Sequence, residues 1–224
     1  MAYSIKKKII LLVLPLFQIV STGFVFRLTS IKLGEDWAII IGFLFSQIIW
    51  CLLSPLLLLG RKDFIGLFRE RESFFKKKNI IFIILLSLTV IGAIAIYLVP
   101  NIRTYSVFIF LLGIPLAIVN STCEEILWRG TFIKIFENNI FFSIIYPVVF
   151  FTLYHIPFQL YDLEVKIIET LPFALMTLPL GLIYGIVAYR NKSIKWVVVA
   201  HSISGIVAFG IPSSISLANI LGIT

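Results

Sequence analysis

The stretch FIFLLGIPLAIVNSTCEEILWRG (Phe108–Gly130) decides how this chain has to fold. An apolar run leads without a break into two adjacent glutamates and an arginine. Similar runs recur along the 224 residues, of which 60% are hydrophobic and 13% charged. Soluble domains carry about 45–50% apolar and about 25% charged residues, and one of this size could not bury so much apolar surface. Together with a mean hydropathy of +1.07, this composition predicts an integral membrane protein.

Seven apolar runs are candidate membrane helices, because a helical span takes about 20 mostly apolar residues. They are Ile9–Phe26, Trp37–Leu59, Ile80–Val99, Tyr105–Phe136, Ile140–Tyr154, Ile167–Tyr189 and Ile194–Phe209. An eighth segment, Pro212–Ile223, is short for a span of its own. The runs are continuously apolar rather than alternating, which indicates helices and not a β-barrel. The predicted fold class is all-α: a polytopic transmembrane helix bundle of about 7–8 spans with a polar cavity in its core.

The basic residues predict a cytoplasmic N-terminus. With that orientation, fourteen Lys and Arg residues fall on the cytoplasmic side and four on the other, with Arg129 left inside a span. Positive charge is concentrated on the cytoplasmic side of membrane proteins. The first apolar run follows Lys6–Lys8 like a signal peptide, but it has no convincing cleavage site of small residues and is interpreted as a retained helix.

The segment RKDFIGLFRERESFFKKK (Arg61–Lys78) mixes charged and aromatic residues. Such a mixture is typical of an amphipathic loop at the cytoplasmic interface, although a solvated loop beside anionic lipid fits equally well. The net charge is +8, but the basic residues that produce it lie between apolar runs and do not form one surface. No nucleic-acid partner is therefore expected. Cys51 and Cys123 both lie in apolar runs and are interpreted as small hydrophobic residues.

Ionisable residues at membrane depth are the strongest functional signal, since each costs roughly 2.5–3.5 kcal/mol at a helix centre. Glu125 and Arg129 have the i,i+4 spacing of an ion pair on one helix face. Glu124 points about 100° away around the helix and stays free. Desolvation disfavours its charged form, which makes Glu124 a candidate general base. Neutralisation of Arg129 by both glutamates at a helix end is an equally good structural explanation.

The chain has only two histidines, His155 in FTLYHIP and His201 in VVVAHSISG, and both lie in apolar runs downstream of the glutamate pair. Two histidines and a glutamate can form a general base with electrophilic helpers, or a metal site. The HExxH pattern of zinc proteases is absent. In the predicted topology Glu124 and His201 reach the same depth, whereas His155 needs a tilted or re-entrant helix to join them.

In this order the residues resemble the CPBP family of intramembrane proteases, which includes CAAX proteases and bacteriocin-processing (Abi) enzymes. The EExxxR motif of the family matches Glu124, Glu125 and Arg129, and its FxxxH motif matches Phe151 and His155. The third motif is a histidine followed four residues later by asparagine; His201 matches, and Gly205 takes the asparagine position. The resemblance covers about Leu112–Phe209.

The resemblance implies peptide-bond hydrolysis in one integrated membrane domain, with N-terminal helices in residues 1–104 and a catalytic core in residues 105–224. It implies that Glu124 and His155 activate a water, that Glu125 and Arg129 hold the helix, and that His201 stabilises the oxyanion. Ser204 could supply the hydrogen bond that the asparagine would give. No cofactor is expected, because the spacing of the ligand residues gives little support for zinc.

The expected substrate is a membrane-associated peptide or lipidated protein, such as a CAAX tail or a bacteriocin or pheromone precursor. The Ile-, Phe-, Lys- and Asn-rich composition suggests a bacterial plasma membrane. The alternatives are a catalytically weakened or inactive relative that acts as an immunity or scaffold protein, a small transporter, and a cysteine peptidase that uses Cys123 with His155. A desolvated thiol is usually inert, which disfavours the cysteine peptidase.

Overall fold

Seven helices are long and apolar enough to cross a membrane. The structure, a computed structural model, describes residues 3–70 and 72–223, and within these it contains no strand. The seven helices are α1 (Ile5–Leu33), α2 (Glu35–Leu59), α3 (Lys77–Asn101), α4 (Val107–Ile135), α5 (Phe141–Gln159), α6 (Ile167–Asn191) and α7 (Lys195–Leu221). The predicted all-α membrane bundle is confirmed. Large apolar side chains such as Phe17 and Leu57 point outward, as a lipid-facing surface requires.

The short segment at the C-terminus is not an eighth span. It continues α7, whose 27 residues include a π-helical turn at Ile206–Gly210 followed directly by Ile211–Leu221. Pro212 lacks an N–H group and its ring clashes with the carbonyl of the preceding turn, which interrupts a regular α-helix. Widening the turn before the proline lets the helix continue without a break.

A wide turn before a proline recurs along the described chain. Of its five π-helical turns, four end two residues before a proline: Ser46–Leu53 before Pro55, Ile94–Leu98 before Pro100, Phe141–Ile145 before Pro147, and Ile206–Gly210 before Pro212. The fifth, Ile126–Thr131, has no such proline and directly follows Glu125. There the Thr131 hydroxyl donates to the carbonyl of Ile126, 2.8 Å away. This bond ties the side chain of Thr131 to the first carbonyl of the wide turn.

Helices α4 and α7 pack closely because small residues line their contact. A Cβ at Gly210 would lie 2.4 Å from the carbonyl oxygen of Gly113. A Cβ at Gly205 would lie 3.8 Å from the Cβ of Ala117 and 3.0 Å from the Ser121 hydroxyl oxygen. Small residues allow this approach between membrane helices. On α4 they recur every four residues, and the next two positions of the stripe are Glu125 and Arg129. The close crossing therefore leads directly to the charged residues.

The segment 61–78 folds back onto the bundle, with Arg71 outside the described residues. Leu67 and Phe74 are buried, and the Leu67 carbonyl accepts a hydrogen bond from the backbone N–H of Ile194, 3.0 Å away. Phe74 stacks on Trp196 with ring centroids 5.8 Å apart. The charged residues of the segment lie at the surface, where Glu72 pairs with Lys78 at 2.6 Å. The amphipathic character predicted for the segment is thus used to cover one end of the bundle.

Candidate active site

The two glutamates and the arginine of α4 lie in the centre of the bundle. Glu124, Glu125 and Arg129 are 2%, 0% and 2% exposed. Charged side chains are almost never buried to this degree unless they are paired. The contacts of these three side chains therefore decide whether the cluster is structural or functional.

Glu125 is held on two sides through one oxygen atom. Its Oε1 accepts a hydrogen bond from Nη1 of Arg129 at 2.9 Å, which is the ion pair predicted from the i,i+4 spacing. The same Oε1 lies 2.8 Å from Nδ1 of His201 on α7. A carboxylate can only accept, so Nδ1 of His201 carries the proton. Glu125 therefore fixes both the orientation of the imidazole and the position of its second nitrogen.

Glu124 faces that second nitrogen. Its Oε2 lies 3.7 Å from Nε2 of His201 and has no hydrogen-bond partner among the described residues. No hydrogen bond joins Glu124 to Arg129 in the described part of the chain. One glutamate is thus tied to the arginine and the other left available, as the helix geometry predicted.

Arg129 is positioned by aromatic rings as well as by Glu125. Its Cζ lies 4.1 Å from the ring centroid of Phe151 and 5.7 Å from that of Tyr184. A guanidinium stacks favourably on aromatic faces, especially where water is excluded. Phe151 is the residue that opens the FxxxH pattern, so this motif places a ring on the arginine of the first motif.

His155 lies beside the cluster and does not join its hydrogen bonds. Its Nδ1 is 2.7 Å from the carbonyl oxygen of Phe151, one helical turn earlier. Its ring packs against Phe151 at 4.6 Å and against Tyr154 at 5.6 Å. Among the hydrogen bonds and ion pairs of residues 3–70 and 72–223, none links His155 to Glu124 or His201. His155 and Arg129 both contact the ring of Phe151.

Residues 106–207 match the family model described as Type II CAAX prenyl endopeptidase Rce1-like. This segment is similar to the Rce1-like family. The match includes Glu124, Glu125, Arg129, His155 and His201, and it supports a CAAX-type intramembrane protease in general terms. Seven apolar helices and a membrane-protease family together make the chain an integral membrane protein. Neither the curated proteins nor the solved structures give a match.

Part of the polar cluster comes from outside the Rce1-like segment. Gln47 on α2 is fully buried, and its Nε2 donates to Oδ1 of Asn120 at 3.0 Å and to the Tyr154 hydroxyl at 3.2 Å. Gln47 also interacts with Glu124. Gln47 was not predicted from the sequence. It is a polar residue inside the apolar run FSQIIW, which is the property that singled out the two histidines.

Ser204, the predicted substitute for the asparagine of the family, has its hydroxyl engaged. Ser204 Oγ donates to the carbonyl oxygen of His201 at 3.1 Å and lies 3.3 Å from the Tyr184 hydroxyl. Gly205 faces the opposite helix, where the nearest atom to its ideal Cβ position is Oγ of Ser121. The asparagine position of the Rce1-like segment thus points at Ser121.

The described residues contain no group of three or more His, Cys, Asp or Glu side chains arranged to hold a metal ion. In the Rce1-like site Glu125 is already committed to Arg129 and His201. Oε1 of Glu125 is therefore not available as a metal ligand. Cys123 is buried, and no described hydrogen bond joins it to His155.

Two cavities lie away from the glutamates. One of about 770 Å³ runs between α1 and α2, with apolar walls and Lys6 and Lys7 at one end. The other, of about 480 Å³, is polar and surrounds Asp63 and Lys134 at the end of the bundle. Outside the spans, the hydrogen bond from Tyr3 and the neighbouring Lys134 lower the pKa of Asp63. In the cluster of Glu124, Glu125, Arg129 and His201, the His201 side chain is the partly exposed member, at 14%.

Proposed function

We propose that this protein is an intramembrane endopeptidase that hydrolyses a peptide bond in a membrane-associated or lipidated peptide. The observation that carries the proposal is the placement of Glu124: a buried carboxylate with an unpartnered oxygen, 3.7 Å from a histidine whose orientation is fixed. Two carboxylates with separate roles are typical of sites that combine a base with its support. The match to the Rce1-like family model supports the reaction class.

The proposed reaction begins with a water between Glu124 and the scissile carbonyl. The Glu124 carboxylate takes a proton from the water while the oxygen of the water bonds to the carbonyl carbon. The carbonyl oxygen becomes an oxyanion, and an N–H at Nε2 of His201 donates to it. Glu124 then passes its proton to the leaving nitrogen as the C–N bond breaks. The products are a carboxylic acid and an amine, and the remaining proton of the water passes from the acid to the amine in solution.

The proposed donor role requires an imidazolium at His201, and the charges of the cluster are then balanced. With an imidazolium at His201, the positive charges of Arg129 and His201 equal the negative charges of Glu124 and Glu125. Both ring nitrogens then carry protons, one held by Glu125 and the other directed toward Glu124. Buried charges are tolerated only when they are paired in this way.

His155 supports the same reaction from the side. The carbonyl of Phe151 can only accept, so in the neutral ring the proton sits on Nδ1 and the lone pair on Nε2. That lone pair can help to orient the water. In the proposal the substrate enters past the partly exposed His201, and the enzyme lies in a bacterial plasma membrane with its N-terminus in the cytoplasm.

The proposal is tested by the new peptide N-termini that appear in membranes containing the protein. Cells carrying the wild type should yield N-termini that are absent with Glu124→Gln, which keeps the shape of the side chain but cannot take a proton. Glu164→Gln is the matched control, since Glu164 is exposed in the loop before α6. Identical N-termini in wild type and an equally abundant Glu124→Gln variant would contradict the proposal and favour a scaffold or immunity role.

A synthetic farnesylated peptide with a CAAX-type tail distinguishes the possible substrates. Cleavage of this peptide in vesicles, lost with Glu124→Gln, supports processing of a lipidated tail. If only the N-termini found in cells depend on Glu124, processing of an unlipidated precursor is supported instead.

A further inference from the structure

We propose that the hydroxyl of Ser121 donates a hydrogen bond to the oxyanion, opposite His201. This inference rests on the proposed endopeptidase function and adds a catalytic residue to it. Oxyanion sites of acyl-transfer enzymes use side-chain hydroxyl donors as well as backbone N–H groups. The role requires a donor with an uncommitted proton close to the base, and four observations on Ser121 meet this requirement.

The first observation is that Ser121 is fully buried and its Oγ has no hydrogen-bond partner. Hydroxyls in apolar helices normally bond to a carbonyl of their own helix. Thr89, Thr170, Thr177 and Ser214 do so here, whereas Ser121, Thr22 and Thr152 have no partner. An unpartnered buried hydroxyl costs stability but keeps its proton free for a ligand. Of these three residues, Ser121 is the one on the helix that carries the glutamates.

The second observation is the position of Ser121 on α4. It precedes Glu124 by three residues and Glu125 by four, so it lies one turn before both and between them around the helix, about 60° from Glu124 and about 40° from Glu125. Its hydroxyl is therefore one turn from the proposed base. Because Glu125 contacts His201, the stripe that carries Ser121 is the one that faces α7.

The third observation is the space opposite Ser121. Gly205 lies one turn after His201, and its ideal Cβ position is 3.0 Å from Ser121 Oγ. Gly205 has no side chain to reach toward α4. At this turn of the α4–α7 contact, the polar side chain is therefore the hydroxyl of Ser121.

The fourth observation concerns the competing hydroxyl. Ser204 Oγ donates to the carbonyl oxygen of its own helix at His201 and lies near the Tyr184 hydroxyl. Its proton is engaged, whereas the proton of Ser121 is not. Of these two serines, Ser121 is therefore the available donor.

The test measures how fast the Glu124-dependent N-termini form in isolated membranes, per amount of protein. Ser121→Ala removes one oxygen and fits the same space, so it should accumulate normally and slow the reaction by about 10²- to 10³-fold, the usual loss for one oxyanion donor. Ser214→Ala is the matched control: it is an equally buried serine at the same helix contact, already bonded to the carbonyl oxygens of Ile109 and Ile211. It should retain the wild-type rate.

A second variant separates chemistry from packing. In Ser121→Ala/Gly205→Asn the asparagine amide enters the space vacated by the hydroxyl. The rate of this double variant should be at least tenfold higher than that of Ser121→Ala. A purely structural serine would not be rescued in this way. Full activity of Ser121→Ala beside an inactive Glu124→Gln would overturn the inference alone. So would a loss of rate without rescue, or a larger loss with Ser204→Ala. Activity in Glu124→Gln would overturn the proposed function itself.

Discussion

Nδ1 of His201 lies 2.8 Å from Oε1 of Glu125, so a single buried hydrogen bond joins the motif on α7 to the motif on α4. The same oxygen accepts from Arg129, which makes Glu125 the centre of a three-residue cluster. A carboxylate that binds one ring nitrogen of a histidine also fixes where the second ring nitrogen points, as in other catalytic and metal-binding histidines. Here the other nitrogen faces Glu124.

Arg129→Ala should destabilise the protein severely. It leaves Glu125 buried without its cationic partner, and breaking a buried pair by removing one side costs about 3–5 kcal/mol. It also removes the guanidinium from the face of Phe151. We expect a low protein level in the membrane and a lower unfolding temperature in detergent, together with lost activity.

Arg129→Lys is the informative companion variant. It keeps the positive charge but lacks the planar group that stacks on Phe151, so its unfolding temperature should fall between those of the wild type and Arg129→Ala. If Arg129→Ala accumulates normally and only activity is lost, then Arg129 acts on substrate and is not structural.

Gly210→Ala should disrupt the crossing of α4 and α7. Its new methyl group would lie 2.4 Å from the backbone oxygen of Gly113, which cannot move aside as a side chain can. Overpacking of this kind costs about 1–3 kcal/mol or more. Gly92→Ala on α3 meets nothing within 4 Å and should leave the unfolding temperature unchanged or slightly higher. Equal unfolding temperatures of the two variants would refute this packing account.

Gln47→Leu should lower both stability and activity, although Gln47 lies outside the matched segment. It leaves Oδ1 of Asn120 without its donor, and an unsatisfied buried polar group costs about 1–3 kcal/mol. Gln18→Leu is the control, because Gln18 is equally buried but has only a 3.4 Å contact to the Cys51 thiol. Unchanged activity of Gln47→Leu would confine the site to the Rce1-like segment.

The orientation predicted from charge can be tested with single cysteines. Lys78 and Arg103 lie near opposite ends of α3 and are both exposed. In the predicted topology a membrane-impermeant maleimide should label Arg103→Cys in intact cells, and Lys78→Cys only after permeabilisation. The native Cys51 and Cys123 are buried and provide the unlabelled background. The reverse pattern would place the N-terminus outside.

The sequence determined the fold class and the ion pair because both depend on local periodicity. Runs of about 20 apolar residues require helices in a bilayer, and i,i+4 spacing places Glu125 next to Arg129 on any helix. It did not determine the wide turns: four of them precede a proline, but Pro15, Pro115, Pro172 and Pro179 lie inside helices without one. Nor did it determine the end of the last span, because the predicted run ends at Phe209, whereas a wide turn carries α7 on to Leu221.

The tertiary structure decided which side chains meet between helices. Sequence spacing cannot show that Nδ1 of His201 contacts Glu125, that Gln47 joins from α2, or that the ring of Phe151 contacts Arg129. These contacts depend on how close α4 and α7 approach, which is set by small residues on both helices. The same close approach turns Ser121 toward Gly205. A helix fixes which of its own residues share a face, but only packing fixes what that face meets.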